Sequence, residues 1–454
     1  MNVVSIRTGR PIPSEAPRVL LVTKHPFAPI HDGTSSVISL WAEALRDLGL
    51  AIDVLSFDYV ASRWTDEGRA RLARDAMKLV VVAAYGRDHP LIRRLADVAH
   101  AVLRGHRFLD ERFRTDRASR RQLDALFARD YDLIVVHGVD AVHLAGPERL
   151  RRHRAATLLD IHDHVPFRIL ALQRTLVRML GWHGPSALKL MSRSDIIHAI
   201  GWPSSSWLTR AEIAVAGACD RLLCSSKLER GALAAAGLPT ERLLPISWPV
   251  ARPRASEETN ATAETSPTHD VGFIGSSALF NVEAILFFCA AIWPLVRAAR
   301  PEATLLVAGK AGDALSRLPF AARQGITIAG WLADLGQFYT GVRIVVVPLL
   351  SGTGVSVKTM EAAARARAIV ATDLGLRGLT LRHRIEVLRA EGARDFAAAV
   401  LALLDDPGLA ARLGKAAAEA MAVHHDPAVF RRQIAALVTP MLPKTLRRQV
   451  GSGA

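Results

Sequence analysis

Lys358 and Glu361 stand three residues apart behind the run Ser351-Gly352-Thr353-Gly354, a pattern able to hold a phosphate and a sugar at one place. That spacing puts both side chains on one helical face. The ammonium suits a phosphate and the carboxylate suits sugar hydroxyls. Gly352 and Gly354 let the backbone approach a ligand closely, and a helix opening near Val355 would turn its unpaired N–H groups and positive dipole end to the same spot. Ahead of the turn, Ile344 to Val347 is a β-branched run closed by Pro348, which reads as a strand of a parallel sheet covered on both faces. Behind it, Ala368 to Thr372 is a second apolar strand, followed by Gly375 and Gly378. The result is a strand–turn–helix–strand unit. A Gly-x-Gly loop also serves as a plain structural turn, and Lys358 also reads as a solvated helix lysine.

Elements of the same kind extend along the chain. Arg18 to Thr23 reads as a strand, APIHDGTSS as a loop with Gly33 at a helix entrance, and AIDVLSFD as the next strand. YDLIVVHG and ATLLDIHD are further strands, FRILALQRTLVRML has helical spacing, and ACDRLLCSSKLERGALAAAG reads as strand, serine turn and helix. ARPRASEETNATAETSPTHD is poor in large apolar residues and reads as a linker. The expected organisation is a leader over 1–17, a first domain over 18–249, a linker over 250–269, a second domain over 270–425, and a helix and tail over 426–454. The class is α/β, with two Rossmann-like doubly wound domains.

The 454 residues carry a formal charge of +15. Ten arginines lie between Arg87 and Arg121. A solvated helix face, an anionic membrane surface and nucleic acid are the possible partners for such a stretch. Nucleic acid is disfavoured because only Phe108 and Phe113 are interleaved and no binding signature accompanies them. Several basic residues near an anionic leaflet can hold a peripheral protein. No apolar run is expected to reach membrane-spanning length, and the N-terminus lacks the apolar core of a secretory signal. Cys219, Cys224 and Cys289 are too few for a disulfide framework or a zinc site, which fits a reducing cytosol.

The stretch RIVVVPLLSGTGVSVKTMEAAARARAIVATDLGLRGL, with VGFIGSSALFNVEAILFFCAAIWPLVRAARPEATLLVAGKAG and ITIAGWLADLGQFYTGVRIVVVPL before it, resembles the C-terminal half of the glycosyltransferase group 1 family. These are retaining enzymes of the GT-B fold, whose two domains face each other across a cleft. Resemblance covers about 170 residues well and the N-terminal half more loosely. It implies that Glu361-Ala362 opens the donor helix, with Glu361 accepting from the ribose and Lys358 meeting phosphate. Gly33, Gly275, Ser276, Lys310, Trp331, Gly352, Thr353 and Gly354 complete the implied donor-binding set. Trp331 would border the base, although a core tryptophan fits the same place.

Two departures stand out. Thr353 occupies the position, eight before Glu361, where many members carry a second glutamate. FIGSSALFNVEA offers Ser276, Ser277 and Asn281 where many carry an arginine and a lysine. In the first domain, the resemblance points to His162 as a group facing the donor sugar, with Asp163 orienting it or the acceptor. His137 is a further candidate or a wall residue. The adjacent His162, Asp163 and His164 point in different directions and chelate poorly. Neither a metal nor another cofactor is implied. The expected activity is transfer of a sugar, with retention, from a nucleotide-sugar donor to a hydroxyl of a lipid-linked or polysaccharide acceptor in envelope glycan synthesis, in the cytoplasm or on the inner membrane face. Alternatives are a nucleotide-sugar epimerase on the same fold and a silent nucleotide-sugar-binding scaffold.

Overall fold

A computed structural model describes residues 16–24, 26–29, 33–58, 64–83, 117–161, 165–183, 205–250, 267–317, 325–332, 334–445 and 447. His162, Asp163, most of the arginine-rich stretch, and nearly all of the expected leader and linker lie outside these residues.

Chain contacts divide the protein into two units, Met1–Asp163 with Ser206–Ile246 and Phe430–Ala454, and His164–Ser205 with Ser247–Val429. This division differs from a first domain running unbroken over 18–249, because the helix Val165–His183 groups with the second unit. Met179 of that helix belongs to the second unit's apolar core. Helical periodicity shows that such a helix has an apolar face but not which sheet it covers. The last helix, Pro427–Val438, passes to the first unit at Phe430, whose ring packs edge-on against Trp41 at 5.9 Å.

The first unit holds strands β1 (Arg18–Thr23), β2 (Ala51–Asp58), β3 (Lys78–Ala83), β4 (Leu133–His137), β5 (Ala156–Ile161), β6 (Arg221–Cys224) and β7 (Leu243–Pro245). They form a parallel sheet in the order β3-β2-β1-β4-β5-β6-β7. In the second unit β8 (His269–Ile274), β9 (Leu305–Ala308), β10 (Ile326–Gly330), β11 (Val342–Val347), β12 (Ala368–Ala371) and β13 (Leu388–Arg389) pair in parallel in the order β10-β9-β8-β11-β12-β13. Both are doubly wound, as the alternation of apolar runs and helical periods implies. Ile344 to Val347 are fully buried, the mark of a strand covered on both faces.

One apolar stretch corrects the sequence expectation. The helical residues Leu279–Ala299 are long and apolar enough to cross a membrane by composition. Here they cover the second sheet: Val282, Ile285, Leu286, Phe288, Ile292 and Val296 lie in its core. Pro294 cannot donate in a helix, and its ring crowds the carbonyl four residues back. A single π turn, Phe288–Ile292, absorbs that mismatch between the helices Leu279–Phe287 and Trp293–Ala299.

In each sheet the strand order reverses beside the first strand, and the crevice at such a switch point lies beyond the strands' C-terminal ends. In the second unit the switch falls between β8 and β11. Backbone crowding at the ends of the neighbouring strands β8 and β9 is severe: Gly309 has φ +79°, and a Cβ on it would lie 2.3 Å from the Gly275 carbonyl oxygen. Gly309→Ala should therefore lose about 1–3 kcal/mol to the left-handed backbone alone, with the overlap adding to it. Urea unfolding should show the loss, and a stability equal to that of the unsubstituted chain would contradict this packing.

Candidate active site

The loop after β11 runs from Pro348 into the helix Val357–Ala364, which opens two residues later than Val355 with Ser356 as its N-cap. Its carbonyls are drawn away by side chains from three directions. Thr372 Oγ1 donates to Leu349 O at 2.7 Å, Arg178 Nη2 to Leu350 O at 3.4 Å, and Arg377 Nη1 to Gly352 O at 3.0 Å. Among the described residues no hydrogen bond engages the N–H groups of Gly352, Thr353 or Gly354. Gly352 (φ 141°) and Gly354 (φ 69°) occupy backbone regions that disfavour a side chain. A turn with its carbonyls tied back and successive amides unengaged can receive an anion.

Lys358 reaches across the switch point. It donates through Nζ to Asn281 Oδ1 and stands 5.6 Å from the centre of the Phe273 ring, in cation–π range. Asn281 Nδ2 in turn donates to Ser276 Oγ at 3.1 Å and to Ser276 O at 3.3 Å. The chain after β8 and the helix after β11 are thus joined through Lys358, Asn281 and Ser276. Lys358 is half-buried, so a solvated lysine is not what the structure holds. Burial pushes its pKa down to about 8, opposed by the nearby Glu361 carboxylate.

A phosphate would bind the charged form and raise that pKa. In the free protein Lys358 loses its proton as pH rises through about 8, so diphosphate affinity should fall from there upward, by up to about tenfold per pH unit. Calorimetric titration across that range checks the slope. Lys358→Arg, which stays charged, should flatten it.

Glu361 receives the Tyr339 hydroxyl on Oε2 at 2.9 Å, and Tyr339 is fully buried. Arg365 lies over the same ring at 4.8 Å. The carboxylate is therefore fixed from behind by a phenol that sequence patterning does not single out.

Gly275 and Gly309 close the floor. Gly275 N donates to Ala308 O at 3.1 Å and Gly309 N to Gly330 O at 2.5 Å, drawing together the ends of β8, β9 and β10. Lys310 follows as an exposed residue opening the 3-10 segment Lys310–Arg317. Trp331, just beyond β10, is 72% exposed, which excludes a core role. Gly275, Ser276, Lys310, Trp331, Gly352, Thr353, Gly354, Lys358 and Glu361 all lie at the C-terminal edge of the second sheet or in the helix that leads away from it.

In the first unit Gly33 begins the helix Gly33–Asp47. His162 and Asp163 follow β5 directly but lie outside the described residues. His137 ends β4 and is buried, its Nδ1 3.5 Å from Asp160 Oδ2, with Trp41 Nε1 donating to the same oxygen at 3.0 Å. The three cysteines are buried and unbridged, and burial pushes their thiols up to about 12, so none is poised as a nucleophile.

Four contributors were missed by sequence reasoning: Arg178, Glu283, Tyr339 and Arg377. Glu283 alone carries a sequence signal, since a carboxylate inside the apolar run NVEAILFF needs a partner.

Residues 268–406 match the model of the family described as Glycosyl transferases group 1. Among curated proteins none matches the chain. Several solved structures share its architecture at low identity. Sucrose-phosphate synthase from Thermosynechococcus elongatus is 15% identical, with 94% of this chain and 99% of that one covered at a TM-score of 0.64. HepE of Anabaena, solved with UDP-glucose, is 14% identical, covering 93% and 99% at 0.59. TarM of S. aureus, solved with fondaparinux, alpha-GlcNAc-glycerol and UDP, is 12% identical, covering 94% and 99% at 0.59.

Proposed function

We propose, from the premise that this chain is a group 1 glycosyltransferase of the GT-B fold, that it moves a sugar from a nucleoside diphosphate donor to a hydroxyl of a lipid-linked or polysaccharide acceptor. One observation carries the donor reading: the Gly352–Gly354 amides are unengaged while the neighbouring carbonyls are tied back, with Lys358 in the first turn of the helix that follows. HepE, of the same architecture, has been solved with UDP-glucose.

During transfer the bond from the anomeric carbon to the diphosphate oxygen breaks, and its electron pair stays on the diphosphate. The acceptor oxygen bonds to that carbon, and its proton passes to the departing diphosphate. Charge therefore builds on the phosphate as the reaction proceeds. Amides fixed in place and a partly desolvated ammonium meet that charge without reorganising. Arg377, already bonded to Gly352 O, adds a second cation near the loop.

Glu361 holds the ribose, and Trp331, exposed beside β10, offers a face to the base. Gly275, Ser276 and Lys310 border the sugar and phosphate, and Thr353 leaves the sugar without the second carboxylate common in the family. His162 and Asp163, at the end of β5, act on the sugar or the acceptor, with the acceptor entering on the face the donor leaves, so that configuration is retained. With protein groups supplying the positive charge, no metal or other cofactor is assigned a part. The charge of +15 suits an acceptor at an anionic membrane surface in the cytoplasm, in envelope glycan synthesis.

Donor consumption tests this reading. The unsubstituted chain should slowly hydrolyse one nucleotide-sugar of a panel, and both His162→Ala and Glu361→Ala should abolish that turnover. Binding of a nucleotide-sugar without any turnover would favour a silent scaffold. Turnover unchanged in both variants would reject these residues.

A further inference from the structure

Glu283 is a fully buried carboxylate in an apolar helix, and everything it bonds to leads to the glycine loop. It accepts from Arg178 Nε on Oε1 at 2.6 Å and from Thr175 Oγ1 on Oε2 at 3.2 Å, and Ser351 Oγ also donates to Oε2. Thr175 and Ser351 are themselves in hydroxyl contact. The two hydroxyls and Oε2 thus form a closed triangle of contacts, two of which their two protons can fill. Arg178 spends a second N–H on Leu350 O. Residues Leu350 and Ser351, immediately before the unengaged amides, are held by this one cluster.

An ion pair whose carboxylate is fully buried, with Arg178 still 31% exposed, is an expensive way to join two helices, since apolar side chains of similar volume often stabilise as well or better. What an apolar pair cannot do is hold a carbonyl and a hydroxyl at fixed angles. The partners come from the helices Val165–His183 and Leu279–Phe287, more than a hundred residues apart in the chain. The first of these helices follows directly on the segment that carries His162 and Asp163.

We infer that Arg178 and Glu283 are positioning residues for diphosphate: they turn the carbonyl of Leu350 and the hydroxyl of Ser351 inward so that the Gly352, Thr353 and Gly354 amides converge on the phosphates. They touch no substrate. The inference rests on the donor-site reading and names what shapes that site.

The test compares the full chain with Arg178→Lys, Glu283→Gln and the paired apolar variant Arg178→Met with Glu283→Leu. Calorimetry reads the affinities for a nucleoside diphosphate and for the same nucleoside without phosphate, and thermal unfolding reads stability. Each variant should bind diphosphate about tenfold or more weakly, with the nucleoside affinity unchanged. The apolar pair should melt at or above the temperature of the unsubstituted chain and still bind diphosphate weakly. Recovery of diphosphate affinity together with stability in the apolar pair would reduce the cluster to a structural brace and overturn the inference. Equal loss of nucleoside and diphosphate affinity would overturn it too. Absence of diphosphate binding by the unsubstituted chain would instead reject the donor site itself, and this inference with it.

Discussion

Lys358→Met should cost about 100-fold in nucleoside diphosphate affinity while leaving the unliganded chain no less stable. The two effects have one cause. Lys358 is held as a cation against the Phe273 ring and Asn281 at a place where burial already drives its pKa down to about 8. A partly desolvated ammonium forms strong charge-assisted bonds to phosphate, each worth about 1.5–3 kcal/mol. The same desolvation counts against the folded chain when no phosphate is bound. Below pH 8 Lys358 is charged in folded and unfolded chains alike, and the penalty is complete. As pH rises from about 8 toward the model-peptide value of about 10.4 the folded chain sheds its proton first, so stability is gained over that interval. The melting advantage of Lys358→Met should accordingly shrink across it. Melting curves and calorimetric titrations of both proteins measure the pair of effects. A variant that loses stability and keeps its affinity would make Lys358 an ordinary structural cation.

The second large effect belongs to Glu361. An ionised carboxylate only accepts, and its position three residues after Lys358 brings it to the same helical face, where the two charges already sense each other. Tyr339 fixes it from the buried side through Oε2. Glu361→Ala should weaken ribonucleoside diphosphate binding by about 10- to 100-fold, because ribose hydroxyls lose a charged acceptor. The same change should largely erase the preference for a ribonucleoside over a 2′,3′-dideoxyribonucleoside diphosphate. Glu361→Gln keeps an acceptor for Tyr339 and removes the charge, so it should retain the fold and part of the preference. A ribose preference that survives Glu361→Ala intact would assign the ribose to another group.

What the sequence makes readable here is local. The strand before the loop, the paired glycines, and the placement of Lys358 and Glu361 on one helical turn follow from short-range pattern, and the structure places them as the pattern implies. So does the alternation that yields two parallel sheets. What escapes is the support behind the loop. Arg178 reaches Glu283 and Leu350 from a helix that periodicity assigns to no sheet, and Arg377 and Tyr339 arrive from separate segments. Their side chains look like ordinary solvated or core residues until the fold brings them to the switch point. Leu279–Ala299 misleads for a related reason: a helix buried between a sheet and its neighbours is apolar on nearly every side.

The most direct measurement is thermal unfolding of the full chain with uridine, guanosine, adenosine and thymidine diphosphates. Stabilisation by a ligand at 100 times its dissociation constant is about 2.7 kcal/mol, enough to raise the melting transition of a domain of this size by roughly 5 °C or more. At least one diphosphate should do so, and its nucleoside at the same concentration should give a much smaller shift. No shift with any of the four would contradict the assignment of Gly352–Gly354, Lys358 and Glu361 as a donor seat.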